Sequence, residues 1–308
     1  MDKLLSLSAS PHLHSGRSTS AIMRDVLIAL LPTTVAGTII FGLRSLLVVA
    51  VCVISCVLLE ALYNLITKKD QTIGDLSAAV TGLLLALNLP ANVPIWQCVV
   101  GCVFAIILVK CLFGGIGRNL VNPAITARVF MLVSFSSLAK AAFPANVDAV
   151  SSATPLMQIE QGTVPSLLDL FLGKNGGAIG EVSAAALLVG FIYLLCRRVI
   201  TWHIPVSFIG SVFLLSFALE GSATTALALI LSGGLFIGAI FMATDYVTSP
   251  PTPLGKIVFG LGAGLLTFLI RHFGAYPEGV SFAILFMNIL TPYIEKLGAF
   301  KVFGGRKA

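Results

Sequence analysis

Long apolar runs dominate the chain, and short polar or Gly/Pro-rich segments separate them. A helix that crosses the hydrocarbon core of a bilayer needs about 20 mostly apolar residues. Ten segments reach or approach that length. They cover residues 25–41, 43–66, 75–88, 94–113, 121–140, 180–197, 203–219, 222–243, 255–271 and 279–296. The pattern predicts an all-α polytopic membrane protein with about ten transmembrane helices and one long loop.

The composition supports the same class of protein. The chain has 308 residues, of which 57% are apolar and only 10% are charged. A soluble domain has about half apolar and a quarter charged residues. The net charge of +6 does not indicate nucleic-acid binding, because the basic residues are scattered between the apolar runs. In that setting they report membrane topology, and we expect no nucleic-acid partner.

The positions of lysine and arginine predict the orientation. With ten spans both termini share a side, and fourteen of the 19 basic residues fall on that side, against four on the other. Cytoplasmic loops carry the excess of Lys and Arg, so the termini are predicted to be cytoplasmic. The predicted parts are a cytoplasmic tail (1–24), a five-helix membrane repeat (25–140), an extracytoplasmic loop (141–179), a second five-helix repeat (180–297) and a cytoplasmic tail (298–308).

The division into two halves follows from a weak internal repeat. The segment "FGGIGRNLVNPAITARVFM" (113–131) resembles "FGAYPEGVSFAILFM" (273–287), and the helices before them correspond as well. Five helices in each copy would invert the second copy relative to the first. Short or Pro-interrupted helices in matching positions of inverted repeats point to a binding site between the halves. The alternative is a chance likeness of two Gly/Pro-rich turns.

Two of the charged residues inside predicted spans lie at a similar depth. Glu60 and Arg128 both lie roughly two turns from the cytoplasmic end of their helices. Equal depth permits an ion pair, which would reduce the cost of burying either charge. Snorkelling of Arg128 to the interface is the simpler alternative.

The long loop contains the polar segment "DAVSSATPLMQ", which begins at Asp148. It has no His or Cys neighbour for a serine nucleophile and no Gly-rich phosphate loop. It offers a carboxylate and the hydroxyl groups of Ser151, Ser152 and Thr154. Because a proline follows Thr154, that residue should be extended, with its side chain presented rather than packed in a helix. The alternative is an ordinary Ser/Thr turn.

The segment "GGIGRNLVNPA" precedes the fifth predicted helix. Its glycines allow tight backbone turns, and Asn119 and Asn122 could hydrogen-bond a small molecule or a passing ion. Pro123 suits the first turn of a helix. A loop turn followed by a helix cap is therefore an equally good interpretation.

The segment "ATDYVTSPPTP" ends the eighth predicted helix. Asp245 lies at the predicted membrane edge, with Thr248 and Ser249 close in sequence. A carboxylate with hydroxyls and carbonyls at a broken helix is a candidate sodium or proton site. The alternative is a solvated aspartate at the start of a loop.

The loop segment resembles the flavinylation motif D-x-x-[ST]-x-A-[ST], in which a dedicated transferase esterifies the phosphate of FMN to the final hydroxyl. In this chain the motif reads Asp148-Ala-Val-Ser151-Ser152-Ala153-Thr154, with Ser152 where the motif usually has Gly. The resemblance implies that Thr154 carries covalent FMN through a phosphoester bond. The isoalloxazine ring would stay unmodified and redox-active.

Nearly the whole chain resembles the D subunits of Rnf complexes, which are ion-translocating ferredoxin:NAD oxidoreductases. It is similar to the B subunits of sodium-pumping NADH:quinone reductases too. Five segments carry the likeness in the same order along the chain: "SASPHLHSGRSTSAIMRDVLIALLP", "GGIGRNLVNPAITARVF", "DAVSSATPL", "ATDYVTSPPTPLGK" and "YPEGVSFAILFMN". Their shared order is more specific than any one motif.

The resemblance implies a membrane subunit of a redox-driven ion pump in the inner membrane of a prokaryote. Electrons would pass through covalent FMN and a second, non-covalent riboflavin near the cytoplasmic face, with Asn119 and Asn122 as candidate ligands. Na⁺ or H⁺ would move. The chain shows no site for NAD or ferredoxin, so it would act as one subunit of a translocase, with other membrane and peripheral subunits and a flavin transferase as partners.

Two alternatives stay open at this point. One is the B subunit of a sodium-pumping quinone reductase. The other is a small-solute channel or transporter built from inverted repeats, which would need no flavinylation loop.

Overall fold

The structure is a computed structural model, and it describes residues 18–135, 138, 142–143, 154–274 and 279–298. Within these residues the chain is helical, apart from turns and one isolated β-bridge between Ala142 and Gly177. The helices are α1 (Thr19–Phe41), α2 (Leu43–Ile66), α3 (Ser77–Leu87), α4 (Ile95–Val103, continued by a π-helix Phe104–Cys111), α5 (Pro123–Ser134), α6 (Pro155–Glu160), α7 (Leu167–Leu172), α8 (Ala184–Cys196), α9 (His203–Glu220), α10 (Ala223–Leu231), α11 (Leu235–Ile237, continued by a π-helix Gly238–Met242), α12 (Pro253–Phe273) and α13 (Val280–Gly298).

A helix or a helix pair lies at each of the ten predicted positions. Within the described residues, α1, α2, α9 and α12 are long and apolar enough to cross a bilayer, and the bent pair α10–α11 makes a fifth such element. Shorter apolar helices, including α3, α4, α5 and α8, occupy other positions. The fold is therefore that of an all-α, multi-pass membrane protein. The number of ten spans stays a prediction.

Two predicted spans differ in shape from the observed helices. The segment predicted as 222–243 is not one helix, because α10 and α11 meet at 64°. Gly233 and Gly234 form the bend with φ of 68° and 67°, a conformation that glycine adopts without a steric cost. The helix predicted to reach residue 140 ends at Ser134, where Phe135 turns to an extended conformation.

The charge count that predicted the orientation also needs a correction. The count assigns Lys110 and Arg271 to opposite sides, at or near the ends of predicted spans, but both side chains are buried in the bundle. Each contacts polar groups of neighbouring elements instead of water. Removing one residue from each side leaves the predicted bias in place, and the orientation itself stays a prediction.

Small residues bring several helices into close contact. On α12, Gly260 and Gly264 face Ser207 and Ser211 of α9, and a Cβ atom at either glycine would overlap a serine hydroxyl. Small residues four positions apart on both helices let the two backbones approach, as in many membrane-helix pairs. Gly82 of α3 lies equally close to the backbone of α2.

The two short helices α3 and α11 end beside each other in the interior. Asn88, which follows α3, donates from Nδ2 to Sδ of Met242 at the end of the π-helix, at 3.5 Å. The free carbonyls of α3 are capped by the segment before α8: Gly180 N donates to Leu87 O at 2.7 Å, and Ile179 N donates to the carbonyl of residue 89 at 3.0 Å. Two short helices therefore meet in the interior, and the internal repeat stays a prediction.

Candidate functional site

The candidate groups lie at two opposite ends of the bundle. Helix α12 connects the two ends, because Pro253 follows the Asp245 turn and Arg271 contacts the bend between α10 and α11. Eighteen residues separate these positions, which is roughly 27 Å at 1.5 Å per residue. We call the end with Asp245 the cavity end and the end with Thr154 and Arg271 the Thr154 end.

A cavity of about 440 Å³ occupies the cavity end. Its apolar walls come from α1, α3, α8 and the end of α11, and its polar lining includes Ser77, Thr81, Lys110, Asn119, Asn122 and Asp245. The structure therefore brings together two segments that were predicted to have separate roles, "GGIGRNLVNPA" and "ATDYVTSPPTP". Cavities of about 300–1,000 Å³ with mostly apolar walls and a few polar groups are typical of small-molecule sites.

Asn122 holds one wall of this cavity in place. Its Oδ1 accepts hydrogen bonds from Ala124 N at 3.0 Å and Ile125 N at 3.3 Å, so it caps α5, with Pro123 in the first turn. Its Nδ2 donates to the carbonyl of Met242 at 3.3 Å. The helix-cap interpretation is confirmed, and the same amide ties α5 to the end of α11.

Asn119 has an unused acceptor in the cavity wall. The side chain is 9% exposed, and Oδ1 has no hydrogen-bond partner among the residues that the structure describes. The turn before it has positive φ at Gly114, Gly115 and Gly117 (112°, 89° and 85°), as the glycines predict. A buried amide oxygen without a partner loses its bonds to water, so an N–H or O–H of a ligand would relieve a real cost.

Asp245, Thr248 and Ser249 do lie together, as the candidate ion site requires. Thr248 Oγ1 donates to Asp245 Oδ2 at 3.1 Å, and Ser249 Oγ donates to the Asp245 carbonyl at 2.7 Å. Asp245 lies in the turn after α11, outside the helix, where burial raises the pKa of its carboxyl group. These contacts are within one turn, and binding of Na⁺ or H⁺ there stays a prediction.

Lys110 is the cavity residue that sequence reasoning missed as a site residue. Its Nζ contacts Glu60 Oε1 at 2.8 Å and donates to Ser77 Oγ at 2.5 Å. The cation that the structure shows at Glu60 is Lys110, where the sequence suggested Arg128. The prediction compared only the depth of two residues along their helices. The packing of α2 against the π-helix after α4 determines that Lys110 is the residue that contacts Glu60. A lysine inside an apolar run was the available signal.

Thr154 is the residue of the flavinylation motif that the structure describes; Asp148, Ser151, Ser152 and Ala153 lie outside the described residues. Its backbone is extended (φ −59°, ψ 155°), as predicted from the proline that follows. The half-buried side chain caps α6, because Oγ1 accepts from Met157 N at 3.4 Å. The contact is long, so this hydroxyl is weakly held.

Arg271 stabilises the bend between α10 and α11, which lies next to α6. Its guanidinium donates to the carbonyls of Leu229 (2.7 Å), Ser232 (3.0 Å) and Gly233 (3.0 Å), which the break between α10 and α11 leaves without helical partners. Leu156, two residues after Thr154, packs against the same glycine. The sequence predicts this arginine at the end of the ninth span and gives no sign of the contact.

Comparison with known proteins places the chain among membrane redox subunits. The NQR2, RnfD, RnfE family matches residues 6–304. The chain is 46% identical to the D subunit of the Na⁺-translocating ferredoxin:NAD⁺ oxidoreductase complex of Acetobacterium woodii, over 98% of this chain and 96% of that protein. It is 40% identical to the D subunit of the proton-translocating ferredoxin:NAD⁺ oxidoreductase complex of Clostridium ljungdahlii, over 99% and 97%. It is 34% identical to the D subunit of the ion-translocating oxidoreductase complex of Aliivibrio salmonicida, over 98% and 99%. The chain belongs to the NQR2, RnfD, RnfE family.

Proposed function

We propose that this chain is the D subunit of an Rnf-type complex, which couples electron transfer between ferredoxin and NAD⁺ to the translocation of Na⁺ or H⁺. The relatives with 46% and 40% identity carry the ferredoxin:NAD⁺ names and match over nearly their whole length. They favour this function over the B subunit of a quinone reductase. The role of the chain is to hold one flavin at each end of its helical bundle, while NAD and ferredoxin bind other subunits.

The cavity is the proposed site of a non-covalent flavin, and the Asn119 acceptor is the observation that supports this most. An isoalloxazine ring has a broad apolar face and one edge with carbonyl and N–H groups. The cavity offers apolar walls, the unpartnered Asn119 Oδ1 and the Lys110 ammonium group. When bound, a flavin supplies the electron-transfer chemistry, and the protein orients and tunes it.

Thr154 is the proposed attachment point of FMN at the opposite end. A phosphoester bond needs a hydroxyl that a transferase can reach, and the extended residue before a short surface helix provides one. Leu156 and Arg271 fix the base of α6 against the bundle. With a flavin at each end, the chain would hold two redox groups on opposite sides of its packed core.

The attachment site can be tested with Thr154→Ala in the complex made together with a flavin transferase. We expect complete loss of in-gel flavin fluorescence from this subunit under denaturing conditions, because the hydroxyl that forms the ester is gone. Thr163→Ala is the matched control: Thr163 lies on the same loop, and its hydroxyl donates to Gln158 O. Flavin fluorescence of undiminished intensity in Thr154→Ala would show that FMN is attached to another residue.

The orientation can be tested with single cysteines in a Cys196→Ser background, because Cys196 is exposed. Gln161→Cys at the Thr154 end should react with an impermeant maleimide added to intact cells. Thr67→Cys, at the other end of the bundle, should react only after lysis. Both positions are exposed, so accessibility to solvent is matched. The reverse labelling pattern would place the Thr154 end in the cytoplasm.

A further inference from the structure

A line of hydrogen bonds connects the cavity with the surface between α2 and α3. Lys110 Nζ donates to Ser77 Oγ at 2.5 Å, and Ser77 Oγ donates to Asp75 Oδ1 at 2.6 Å. Lys110 and Ser77 both line the cavity. Asp75 lies in a short 3₁₀ turn, Ile73–Asp75, and is half-buried at the protein surface. Three side chains therefore reach from the cavity to solvent without a gap.

A second set of contacts holds this line in position. Glu60 contacts the Lys110 ammonium group through both carboxylate oxygens, at 2.8 and 2.9 Å. Thr72 Oγ1 donates to Glu60 Oε1 at 2.9 Å, and Asn64 Nδ2 donates to Thr72 Oγ1 at 2.9 Å. The lysine side chain is 2% exposed, so its charge is paired and its direction is fixed.

Local structure accounts for only part of this arrangement. Asp75 Oδ1 also accepts from Ser77 N at 2.8 Å, which satisfies a backbone donor at the start of α3. Capping does not require the serine hydroxyl to accept from a buried lysine. The ion pair of Lys110 with Glu60 could form without either residue lining the cavity, so it does not explain the position of Lys110. A buried ion pair also adds little net stability, because desolvation of the two charges offsets their attraction.

We infer that Asp75, Ser77 and Lys110 form a proton path from the surface to the occupant of the cavity. The inference rests on the flavin proposed above, whose ring takes up protons when it is reduced. Lys110 would release one proton into the cavity and regain one from Ser77 Oγ, which takes one from the Asp75 carboxyl group. Asp75 reloads from water. One proton enters for each one delivered, and the electrons come from the reductant.

Ser77→Ala tests the path with little risk to the fold, because a small residue stays at the position and the ion pair keeps both partners. Ser20→Ala is the control: its hydroxyl donates to Gly74 O in the same turn as Asp75, but it takes no part in the path. Ser77→Thr keeps a hydroxyl and should restore function. Dithionite is the reductant, flavin absorbance follows reduction, and a pH-indicator dye follows proton uptake by the purified complex.

We expect Ser77→Ala to retain the non-covalent flavin but to take up protons about a hundredfold more slowly, which is the lower end of the contribution of a positioned general acid. Ser20→Ala and Ser77→Thr should match the parent. In protein freed of the cavity flavin, the infrared carboxylate band assigned by Asp75→Asn should shift in Ser77→Ala, because that carboxylate loses a hydroxyl donor.

The outcomes separate the two proposals. Parent-like proton uptake by a Ser77→Ala complex that still holds its flavin would overturn the path and leave the flavin site intact. An unchanged Asp75 band would overturn the path as well. If acid extraction of the parent complex releases no flavin from this subunit, the flavin site fails, and the path fails with it.

Discussion

The two ends of the bundle hold their charged and polar groups in different ways. At the Thr154 end, Lys174 and Asp169 are 3.6 Å apart with 72% and 44% of their side chains exposed. At the cavity end, Lys110 and Glu60 are 2.8 Å apart with 2% and 4% exposed. One end offers a hydroxyl at the start of a six-residue helix, and the other offers a partly open cavity with mostly apolar walls.

The difference fits two ways to retain a cofactor. A covalent ester needs a reachable nucleophile but no pocket, since the bond itself supplies retention. Reversible binding depends on groups that are placed before the ligand arrives, because each group ordered on binding subtracts from affinity. The comparison teaches that the buried groups around the cavity should be sensitive to loss of single contacts, and the exposed groups around Thr154 should tolerate such losses.

The largest expected effect is that of Lys110→Met. It leaves the Glu60 carboxylate buried without its cation, which typically costs about 3–5 kcal/mol of stability. Lys174→Met removes an exposed partner instead and should cost less than about 1 kcal/mol. Thermal unfolding of the detergent-purified proteins measures both. Equal losses of stability in the two variants would contradict the expected difference between the buried and the exposed ion pair.

Arg271→Met should have the next largest effect on stability. Arg271 lies at the Thr154 end but is buried, so this substitution tests whether burial or the end of the bundle determines the free-energy cost. The carbonyls of Ser232 and Gly233 lose the guanidinium donor, and the Leu229 carbonyl keeps only the Ser232 hydroxyl at 3.3 Å. We expect about 2–3 kcal/mol of destabilisation. Arg44→Met is the control, since Arg44 is exposed and donates to one carbonyl, Val93 O, at 3.3 Å. Urea or thermal unfolding in the same detergent gives the comparison; a loss at Arg271 no greater than at Arg44 would contradict the assigned role of the guanidinium.

Asn119→Ala should have the smallest effect on stability and a measurable effect on binding. Loss of one hydrogen bond to a ligand corresponds to about 1.4 kcal/mol, or about tenfold in affinity. Flavin released by dilution or gel filtration and quantified by fluorescence measures it. Asn92→Ala, an exposed asparagine in the turn after α3, should leave flavin retention unchanged. Parent-like retention in Asn119→Ala would show that the amide does not contact the ligand.

The sequence predicted the helix positions because the length of an apolar run is a local property. It also predicted the extended backbone at Thr154 and offered the cap at Asn122 as one of two interpretations, since a proline beside each residue restricts the local conformation. The partners of Lys110 and Arg271 depend on contacts across 50 and about 40 residues, which only the packing of the helices determines. For the same reason the sequence does not predict that the turns before α5 and after α11, which are far apart in the chain, line one cavity.

The capping of α3 by the segment before α8 has a consequence for biosynthesis. Gly180, which donates to the Leu87 carbonyl, follows Leu87 by 93 residues, and a chain elongates at about 5–20 residues per second. For roughly 5–20 seconds, then, the Leu87 carbonyl lacks this donor, while Leu84, Leu85 and Ala86 already have theirs from the two residues after the helix. Bare carbonyls are costly in lipid, so we expect α3 to stay near the translocon or at the lipid headgroups until residues 178–180 have been synthesised.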